Sequence, residues 1–281
     1  MSIATLSEVL ANANRDGYAV AGLVVLGWED ARAYVRAAEA LDVPVIIQAG
    51  PGCRENTPIP ILGKMFRYLA ENASVPVVAH LDHGYKQDEI FQAIDSGFSS
   101  VMFDGSKLPI EENVLFTQKI VARAKTAGVS VEGEVGYVGY ADGAASAGTK
   151  PEEARLFSVE SGADAMAISI GNVHLHQTKA TVIDLDRLSS IEAVTDIPLV
   201  IHGGSGVPVE SRLKLAAQSK IAKFNIGTEV RMAFGQSLRK ILHDDPLVFD
   251  RVKILSGVEI DVTKVAKEAM LSLLPSSNSV S

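Results

Sequence analysis

The chain has 281 residues, of which 47% are hydrophobic and 21% are charged, so it can bury a large core and disorder is not expected. Its formal net charge of −8 argues against a surface for nucleic acid or for anionic membranes. The single cysteine, Cys53, excludes an intrachain disulfide framework and fits a reducing compartment. Met1–Asn14 has no signal-peptide pattern, and the longest strongly apolar stretch, Ala19–Trp28, is too short to span a bilayer. We therefore expect a cytoplasmic protein with neither a nucleic-acid nor a membrane partner.

Eight short apolar runs, rich in β-branched residues, recur along the chain, and we interpret them as strands. They are Ala19–Leu26, Pro44–Gln48, Val75–His80, Ser99–Phe103, Val129–Glu134, Ala165–Ile170, Pro198–Ile201 and Ile221–Ile226. The segments between them have the periodicity of helices. These are Glu29–Leu41, Pro60–Asn72, Gln87–Ser96, Ile110–Ala127, Pro151–Ser161, Leu185–Val194, Pro208–Gln218 and Glu229–His243. Apolar strands that alternate with helices indicate a parallel sheet.

Eight such units predict an α/β fold of the closed (β/α)8 type, a TIM barrel, for which the chain is long enough. Leu6–Arg15 forms an extra N-terminal helix in this interpretation, and a helical extension follows the last unit. No Gly/Ser linker divides the chain, so we expect one domain over residues 1–281, with residues 275–281 as a flexible tail. A doubly wound open sheet is the weaker alternative, because Gly27–Asp30 lacks the glycine-rich dinucleotide-binding pattern.

The carboxyl ends of the strands form the active face of such a barrel, and six of the predicted strands end in polar motifs. The motifs are His80–His83, Asp104–Ser106, Glu132–Gly136, Asn172–His174, His202–Gly206 and Asn225–Thr228. Among them, His83, His174 and His202 lie at three different strand ends. Three imidazoles in this arrangement predict an open metal site that keeps one position for water or substrate. Imidazole ligands favour zinc, although cobalt and manganese stay open.

The remaining histidines and two glutamates of the predicted strands have separate interpretations. His80, His176 and His243 are interpreted as structural residues, since a lone histidine is more often hydrogen-bonded than a ligand. Glu132 and Glu134 share one face of a strand. Because two buried carboxylates are costly without a cation, at least one of them is expected to face the metal or its substrate.

Two glycine-containing segments predict a phosphate site. Gly203–Gly206 and Asn225–Thr228 follow the seventh and eighth strands, where barrels commonly bind phosphate. Glycines let backbone N–H groups approach an anion closely, and the hydroxyls of Ser205 and Thr228 add donors.

A metal beside a phosphate site favours one reaction chemistry. A divalent ion can polarise a ketone carbonyl and stabilise an enediolate without a covalent intermediate. A lysine Schiff base is the alternative, and Lys179 and Lys223 are the lysines near the predicted site. Neither is an obvious strand-end nucleophile, so we favour the metal.

These motifs together resemble the zinc-dependent class II ketose-bisphosphate aldolases, especially the tagatose- and fructose-bisphosphate branches, from Gly17 to about Arg251. The matching segments are His80–His83, Phe103–Ser106, Glu132–Gly136, Ile170–His174, His202–Gly206 and Asn225–Thr228. The resemblance implies a carbon–carbon lyase that forms or cleaves a ketose phosphate through a zinc-stabilised enediolate of dihydroxyacetone phosphate. It also implies one zinc ion per subunit, allows a monovalent cation beside it, and implies a homodimer or homotetramer.

The resemblance also assigns roles to residues. It implies that His83, His174 and His202 bind zinc and that Asp82 is catalytic, exchanging a proton with the substrate hydroxyl. Asp104 and Glu134 match an alternative or second metal position. The substrate and phosphate residues that it implies are Gly203, Gly204, Ser205, Asn225, Ile226, Gly227, Thr228, Lys179 and Arg251.

Departures from the family pattern fall at positions that handle substrate. Leu175 replaces a glycine after the second zinc histidine, and Ala141 replaces a glutamate that transfers protons. Val24 replaces an asparagine, Gly50 a serine or threonine, and Leu247 an arginine that contacts a second phosphate. We therefore expect retained chemistry on an altered substrate, with one phosphate or a less polar aldehyde.

Two other functions stay open from the sequence. A metal-dependent sugar-phosphate epimerase or isomerase could use the same scaffold and transfer a proton without breaking a carbon–carbon bond. A non-catalytic barrel could serve as a subunit or chaperone of another enzyme. The presence of Asp82 beside a complete set of predicted ligands weighs against the non-catalytic barrel.

Overall fold

Eight parallel strands form a closed barrel in the order β1 to β8 in the computed structural model, which describes residues 3–140, 143, 145–178 and 180–275. The strands are β1 (Val20–Val24), β2 (Val45–Ala49), β3 (Val77–Gly84), β4 (Ser100–Phe103), β5 (Ser130–Val135), β6 (Ala165–Ile168), β7 (Leu199–Ile201) and β8 (Ile221–Ile226). Each strand pairs with its neighbour in the chain, and β1 pairs with β8 to close the barrel. The predicted fold class is therefore confirmed.

Helices alternate with the strands around the outside of the barrel. They are α1 (Leu6–Asp16), α2 (Trp28–Leu41), α3 (Pro51–Asn56), α4 (Ile59–Asn72), α5 (Gln87–Asp95), α6 (Ile110–Ala127), α7 (Pro151–Glu160), α8 (Leu185–Glu192), α9 (Val209–Gln218), α10 (Thr228–Asp244) and α11 (Arg251–Leu271). The predicted C-terminal extension corresponds to α11, which packs against α2 and α10. Its buried Glu259 forms ion pairs with Arg32 and Arg36 of α2. Across the part of the chain that is described, no helix is both long and apolar enough to cross a membrane.

Helix α1 packs beneath the amino-terminal end of the barrel. Its buried residues Leu6, Val9, Leu10 and Ala13 join a small apolar cluster with inward-facing strand residues. The strand residues of this cluster are Val20, Ile46, Val78, Met102, Ala165, Ala167, Val200 and Ala222. The barrel is thus covered by apolar residues at this end, and the polar strand ends lie at the opposite, carboxyl-terminal end.

Two elements differ from the predicted ones. The third strand extends to Gly84 instead of ending at His80, because its ladder with β4 continues past a register shift. Helix α3 was not predicted, because six residues are too few to show helical periodicity. The tail predicted over residues 275–281 lies outside the described residues from position 276 onward.

Candidate active site

Three histidine rings converge at the carboxyl-terminal end of the barrel. The ring centroids of His83 and His202 are 4.6 Å apart, and His174 lies 5.2 Å and 5.7 Å from them. One ligand nitrogen of each histidine lies within 4.8 Å of those of the other two. Tetrahedral zinc–nitrogen bonds of about 2.0–2.1 Å separate ligand nitrogens by about 3.4 Å, so small side-chain rotations bring all three into range of one ion. The three residues therefore fit a metal site.

Two of the imidazole rings are hydrogen-bonded to carboxylates through the nitrogen that points away from the centre of the cluster. His83 Nδ1 donates to Asp104 Oδ2 at 2.8 Å, and His202 Nε2 donates to Glu132 Oε1 at 3.0 Å. The opposite nitrogens, His83 Nε2 and His202 Nδ1, face each other at 3.0 Å. A carboxylate on the far nitrogen fixes the tautomer and orientation of a metal-binding imidazole. Each ring is thus oriented so that its other nitrogen can bind a metal ion at the centre of the cluster.

A buried charge network lies beneath His202. Lys223 Nζ donates to Glu132 Oε2 at 2.6 Å and to His80 Nε2 at 3.3 Å. Burial alone would raise the pKa of Glu132, but Lys223 and His202 lower it to about 2. Burial and Lys223 lower the pKa of His80 to about 3, so this ring is a neutral acceptor. Lys223 is completely buried in an ion pair and offers no free amine for a Schiff base.

Glu134 carries a buried oxygen that has no hydrogen-bond partner among the described residues. This oxygen, Oε2, lies 3.7 Å from His83 Nδ1 and from His202 Nδ1. Burial and the charge of Asp104 raise the pKa of Glu134 well above its usual value. His83, Asp104 and Glu134 also form a group whose ligand atoms could hold one ion. Because an orphaned buried carboxylate oxygen is costly, this second observation also fits a cation at the cluster.

Asp82 lies beside the histidines with its backbone held in place. Its Oδ1 accepts a hydrogen bond of 3.1 Å from Asn225 Nδ2. Burial alone would raise the pKa of Asp82, but His83, His202 and Lys223 hold it below its usual value. Arg54 donates to the carbonyl oxygens of Asp82, at 2.6 Å, and of His83, at 2.9 Å. His83 has a left-handed φ of 51°, so Arg54 supports a strained backbone at this position.

The two predicted phosphate segments lie together. Ser205 Oγ accepts the N–H of Glu229 at 3.4 Å, which joins the turn after β7 to the first turn of α10. Gly203 has a φ of 65°, and a Cβ there would overlap the carbonyl oxygen of Val173. No other residue fits this position without displacing the backbone. A glycine turn beside a helix N-terminus is a favourable place for a phosphate group.

One cleft contains most of the predicted site residues. The predicted residues that line it are Asp82, His83, His174, Gly203, Ser205, Asn225, Gly227 and Thr228. Arg251 does not line this cleft; it borders a neighbouring cavity with Leu26 and Phe234. Lys179 and Ala141 lie outside the described residues. Leu247 is 88% exposed and does not line the cleft either.

Sequence reasoning missed three polar residues around this cleft. Gln48 is fully buried and lines the cleft, and within the described part of the chain neither its Nε2 nor its Oε1 has a hydrogen-bond partner. Arg54 and Arg231 come from α3 and α10, respectively. Only the spacing of Arg231 from Thr228, three residues along a helix, could have indicated a shared face. Gln48 and Arg54 carried no signal, because their roles depend on contacts between distant segments.

The arrangement has known relatives. The family model described as "Fructose-bisphosphate aldolase class-II" matches residues 4–279. The chain belongs to this family. A fructose-bisphosphate aldolase of Streptococcus pneumoniae is 38% identical to this aldolase over 256 residues, covering 87% of this chain and 85% of the relative. A "6-phospho-5-dehydro-2-deoxy-D-gluconate aldolase" of Shouchella clausii is 35% identical over 277 residues, which cover 95% of this chain and 94% of the relative.

A solved structure shows the same architecture. The YdjI aldolase of Escherichia coli K12 matches this aldolase with a TM-score of 0.84 and 28% identity, covering 96% of this chain and 97% of that one. The enzyme is therefore a lyase of the aldolase type, in a family that is generally zinc-dependent. The epimerase or isomerase alternative finds no support among these relatives, each of which is named an aldolase. The individual residue roles stay predictions.

Proposed function

We propose that this protein is a zinc-dependent aldolase that forms or cleaves a ketose phosphate, with dihydroxyacetone phosphate as one of the two halves. The observation that carries the proposal is the convergence of His83, His174 and His202, two of which, His83 and His174, line one cleft with Asp82 and a glycine-rich turn. We further propose that it acts in the cytoplasm as a homodimer or homotetramer. The relatives are named for two different substrates, so substrate choice has to come from the cleft itself.

His83, His174 and His202 would hold the zinc ion, with Asp104 and Glu134 as an alternative position. A bound zinc ion would supply positive charge that stabilises the negative charge developing on the ketone oxygen. Asp104 and Glu132 keep two of the imidazoles in the ligand tautomer. Burial, His83 and His202 together lower the pKa of His174 to about 3, so its ring is neutral and able to bind a metal.

The protein's own residues then position the substrate and move its proton. The turns Gly203–Ser205 and Asn225–Thr228 bind the phosphate and so fix the ketone half. In the cleavage direction, Asp82 accepts the proton of the hydroxyl on the far side of the breaking bond. That hydroxyl carbon becomes the aldehyde, and the electron pair of the bond stays with the ketone half. In the reverse direction, Asp82 returns the proton to the new hydroxyl group.

The amide of Gln48 and the Oδ1 of Asn225 have no hydrogen-bond partner among the described residues, and both residues line the cleft beside Gly22. A substrate hydroxyl between them would satisfy both buried groups, which otherwise lack a hydrogen bond. Gly22 leaves room for the two side chains, because a Cβ there would approach Asn225 Oδ1 to 2.9 Å. We assign these amides to orienting the substrate rather than to the proton transfer.

A cleavage assay across ketose mono- and bisphosphates tests the proposal. Triose phosphate release indicates an aldolase, whereas a product with an unchanged carbon number would mean an isomerase and would refute it. Asp82→Ala should abolish turnover with zinc still bound, and the exposed Asp88→Ala variant on α5 is the matched control. Turnover in Asp82→Ala at the wild-type rate would remove this residue from the mechanism. If fructose 1,6-bisphosphate is the best substrate, the altered-substrate prediction is wrong.

Metal removal gives a second test. Chelation should stop turnover without unfolding the protein, because the barrel has its own large apolar core. Thermal melting of the chelated protein should stay cooperative, and readdition of zinc should restore turnover. Full turnover after complete removal of the metal would contradict the zinc assignment.

A further inference from the structure

A buried arginine behind the glycine turn has no role in the proposed reaction. Arg212, on α9, is completely buried, and an arginine is rarely buried unless its charge is paired. Its Nη2 donates to the carboxylate of Glu229 and forms an ion pair with it. Glu229 lies in the first turn of α10, directly after Thr228. Neither Arg212 nor Glu229 is among the described residues that line the cleft, so the pair lies behind the surface that faces the substrate.

The guanidinium of Arg212 is held in one place by the turn after β7. Its Nε donates to the carbonyl oxygen of Val207 at 3.0 Å, and its Nη2 donates to that of Ser205 at 3.2 Å. Its Nη1 donates to Ser272 Oγ, just after α11, at 3.2 Å. All three guanidinium nitrogens therefore have acceptors, and the planar group is fixed directly behind the proposed phosphate turn.

The carboxylate of Glu229 works against the proposed phosphate site. The backbone N–H of Glu229 donates to Ser205 Oγ, so this residue borders the place where the glycine turn meets the start of α10. The N-terminus of a helix favours an anion, but a carboxylate in the first turn uses part of that favourable field and repels a phosphate group. The site can attract phosphate fully only if the charge of Glu229 is compensated.

Arg212 supplies that compensation from the side opposite the cleft. Because a buried ion pair is often no more stabilising than two apolar residues, folding alone does not account for this pair. We propose that Arg212 is a positioning residue for the phosphate of the substrate, which acts by neutralising Glu229 behind the glycine turn. This inference rests on the proposed function and deepens it, because it names the pair that sets the charge of the phosphate site.

Calorimetric titration with inorganic phosphate, at a fixed zinc content, tests the charge balance. Two like charges about 10 Å apart at a protein surface repel strongly enough to change an affinity about 10-fold. Arg212→Met leaves the carboxylate uncompensated and should raise the Kd for phosphate about 10-fold. Glu229→Gln leaves the guanidinium uncompensated and should lower the Kd by a similar factor. The double variant carries neither charge and should recover most of the affinity that Arg212→Met loses.

A purely structural role of Arg212 predicts a different pattern. The double variant also lacks the hydrogen bonds to Ser205 and Val207, so it would bind phosphate as weakly as Arg212→Met, and Glu229→Gln would not bind more tightly than the wild type. Either result would overturn the proposal. If Arg212→Met does not fold, Glu229→Gln still decides between the two roles. Lys214→Met removes an exposed charge of the same helix and, as the matched control, should match the wild type.

Kinetics separate this inference from the proposed function. In the condensation of dihydroxyacetone phosphate with D-glyceraldehyde, Arg212→Met should raise the KM for dihydroxyacetone phosphate by the same factor as the Kd for phosphate, with a smaller effect on kcat. If the wild-type protein condenses no aldehyde, the proposed function has failed, and the phosphate titrations still test Arg212. A wild-type protein that binds no phosphate would refute the inference directly.

Discussion

Replacement of Glu132 by glutamine should weaken zinc binding although no zinc ligand is removed. The carboxylate of Glu132 accepts the Nε2–H of His202 and thereby directs Nδ1 to the cluster. Loss of such an outer partner typically lowers metal affinity about 10- to 100-fold. That range corresponds to about 1.4–2.7 kcal/mol of binding free energy. The change should appear as a larger Kd for zinc with an unchanged stoichiometry.

The same substitution also perturbs folding. Glu132 and Lys223 are both fully buried, so Glu132→Gln leaves an ammonium group without its counter-charge. Removal of one partner of a buried pair costs about 3–5 kcal/mol of unfolding free energy, whereas removal of both is often nearly neutral. The double variant Glu132→Gln with Lys223→Met should therefore regain most of the stability and keep the weakened zinc affinity. This variant separates the effect on the metal from the effect on folding.

Three measurements test this prediction. Competition with a chromophoric chelator gives the Kd for zinc, and the absorption spectrum of the cobalt-substituted protein gives the ligand geometry. Urea unfolding gives the unfolding free energy. Glu71→Gln, at an exposed ion pair with Arg67, is the control and should leave all three unchanged. If the double variant binds zinc as tightly as the wild type, Glu132 does not orient His202 and the reasoning is wrong.

Three further predictions concern a strained residue, a buried thiol and the barrel floor. Leu175 has a left-handed φ of 59°, which costs an L-residue roughly 1–2 kcal/mol, so Leu175→Gly should raise the unfolding free energy by up to about 1 kcal/mol after the entropy cost of glycine. Leu175→Ala is its control, because the strain remains there, and an equal effect of both would refute the argument. Burial raises the pKa of Cys53 to about 11, so the thiolate fraction of Cys53 at pH 8 is about 200-fold below that of free cysteine. Iodoacetamide should therefore react with Cys53 about 200-fold more slowly than with free cysteine. Reaction at the free-cysteine rate would contradict the burial of this thiol. Leu10→Ala should lower the unfolding free energy, measured by urea unfolding, by about 2–5 kcal/mol. Leu271→Ala, at a half-exposed position, is the control and should lower it by less than about 1 kcal/mol. Similar losses for both variants would show that α1 is not packed against the barrel.

The barrel could be predicted because its strands are short apolar runs separated by amphipathic segments. The apolar composition of each run is enough to indicate a buried strand. The site histidines could be found because strand ends of a barrel meet at one end, so position along the chain implies proximity. His83 shows the limit of this logic. The strand continues through it to Gly84 after a register shift that depends on the neighbouring strand, and no local pattern encodes that shift.

Contacts between distant segments account for the rest. Glu132 pairs with Lys223 across 91 positions of the chain, and nothing in either local sequence indicates the partner. The sequence predicts that Lys223 lies near the site, but it gives no sign of the buried ion pair that holds this lysine. Leu175 stands where the family resemblance predicts a glycine, and its backbone has a left-handed conformation that glycine adopts more readily, because tertiary contacts override the preference of a single residue.

The position of α1 affects how the polypeptide is made. This helix is translated before every strand of the barrel, yet the apolar floor that it covers includes Ala222 of the last strand. About 210 further residues must be translated before that floor is complete, which takes roughly 10–40 s at cellular elongation rates of about 5–20 residues per second. During this interval the nascent chain carries the apolar stripe of Leu6 and Leu10 with no permanent partner. We therefore expect the helix that covers this floor to be a binding target for chaperones at the exit tunnel.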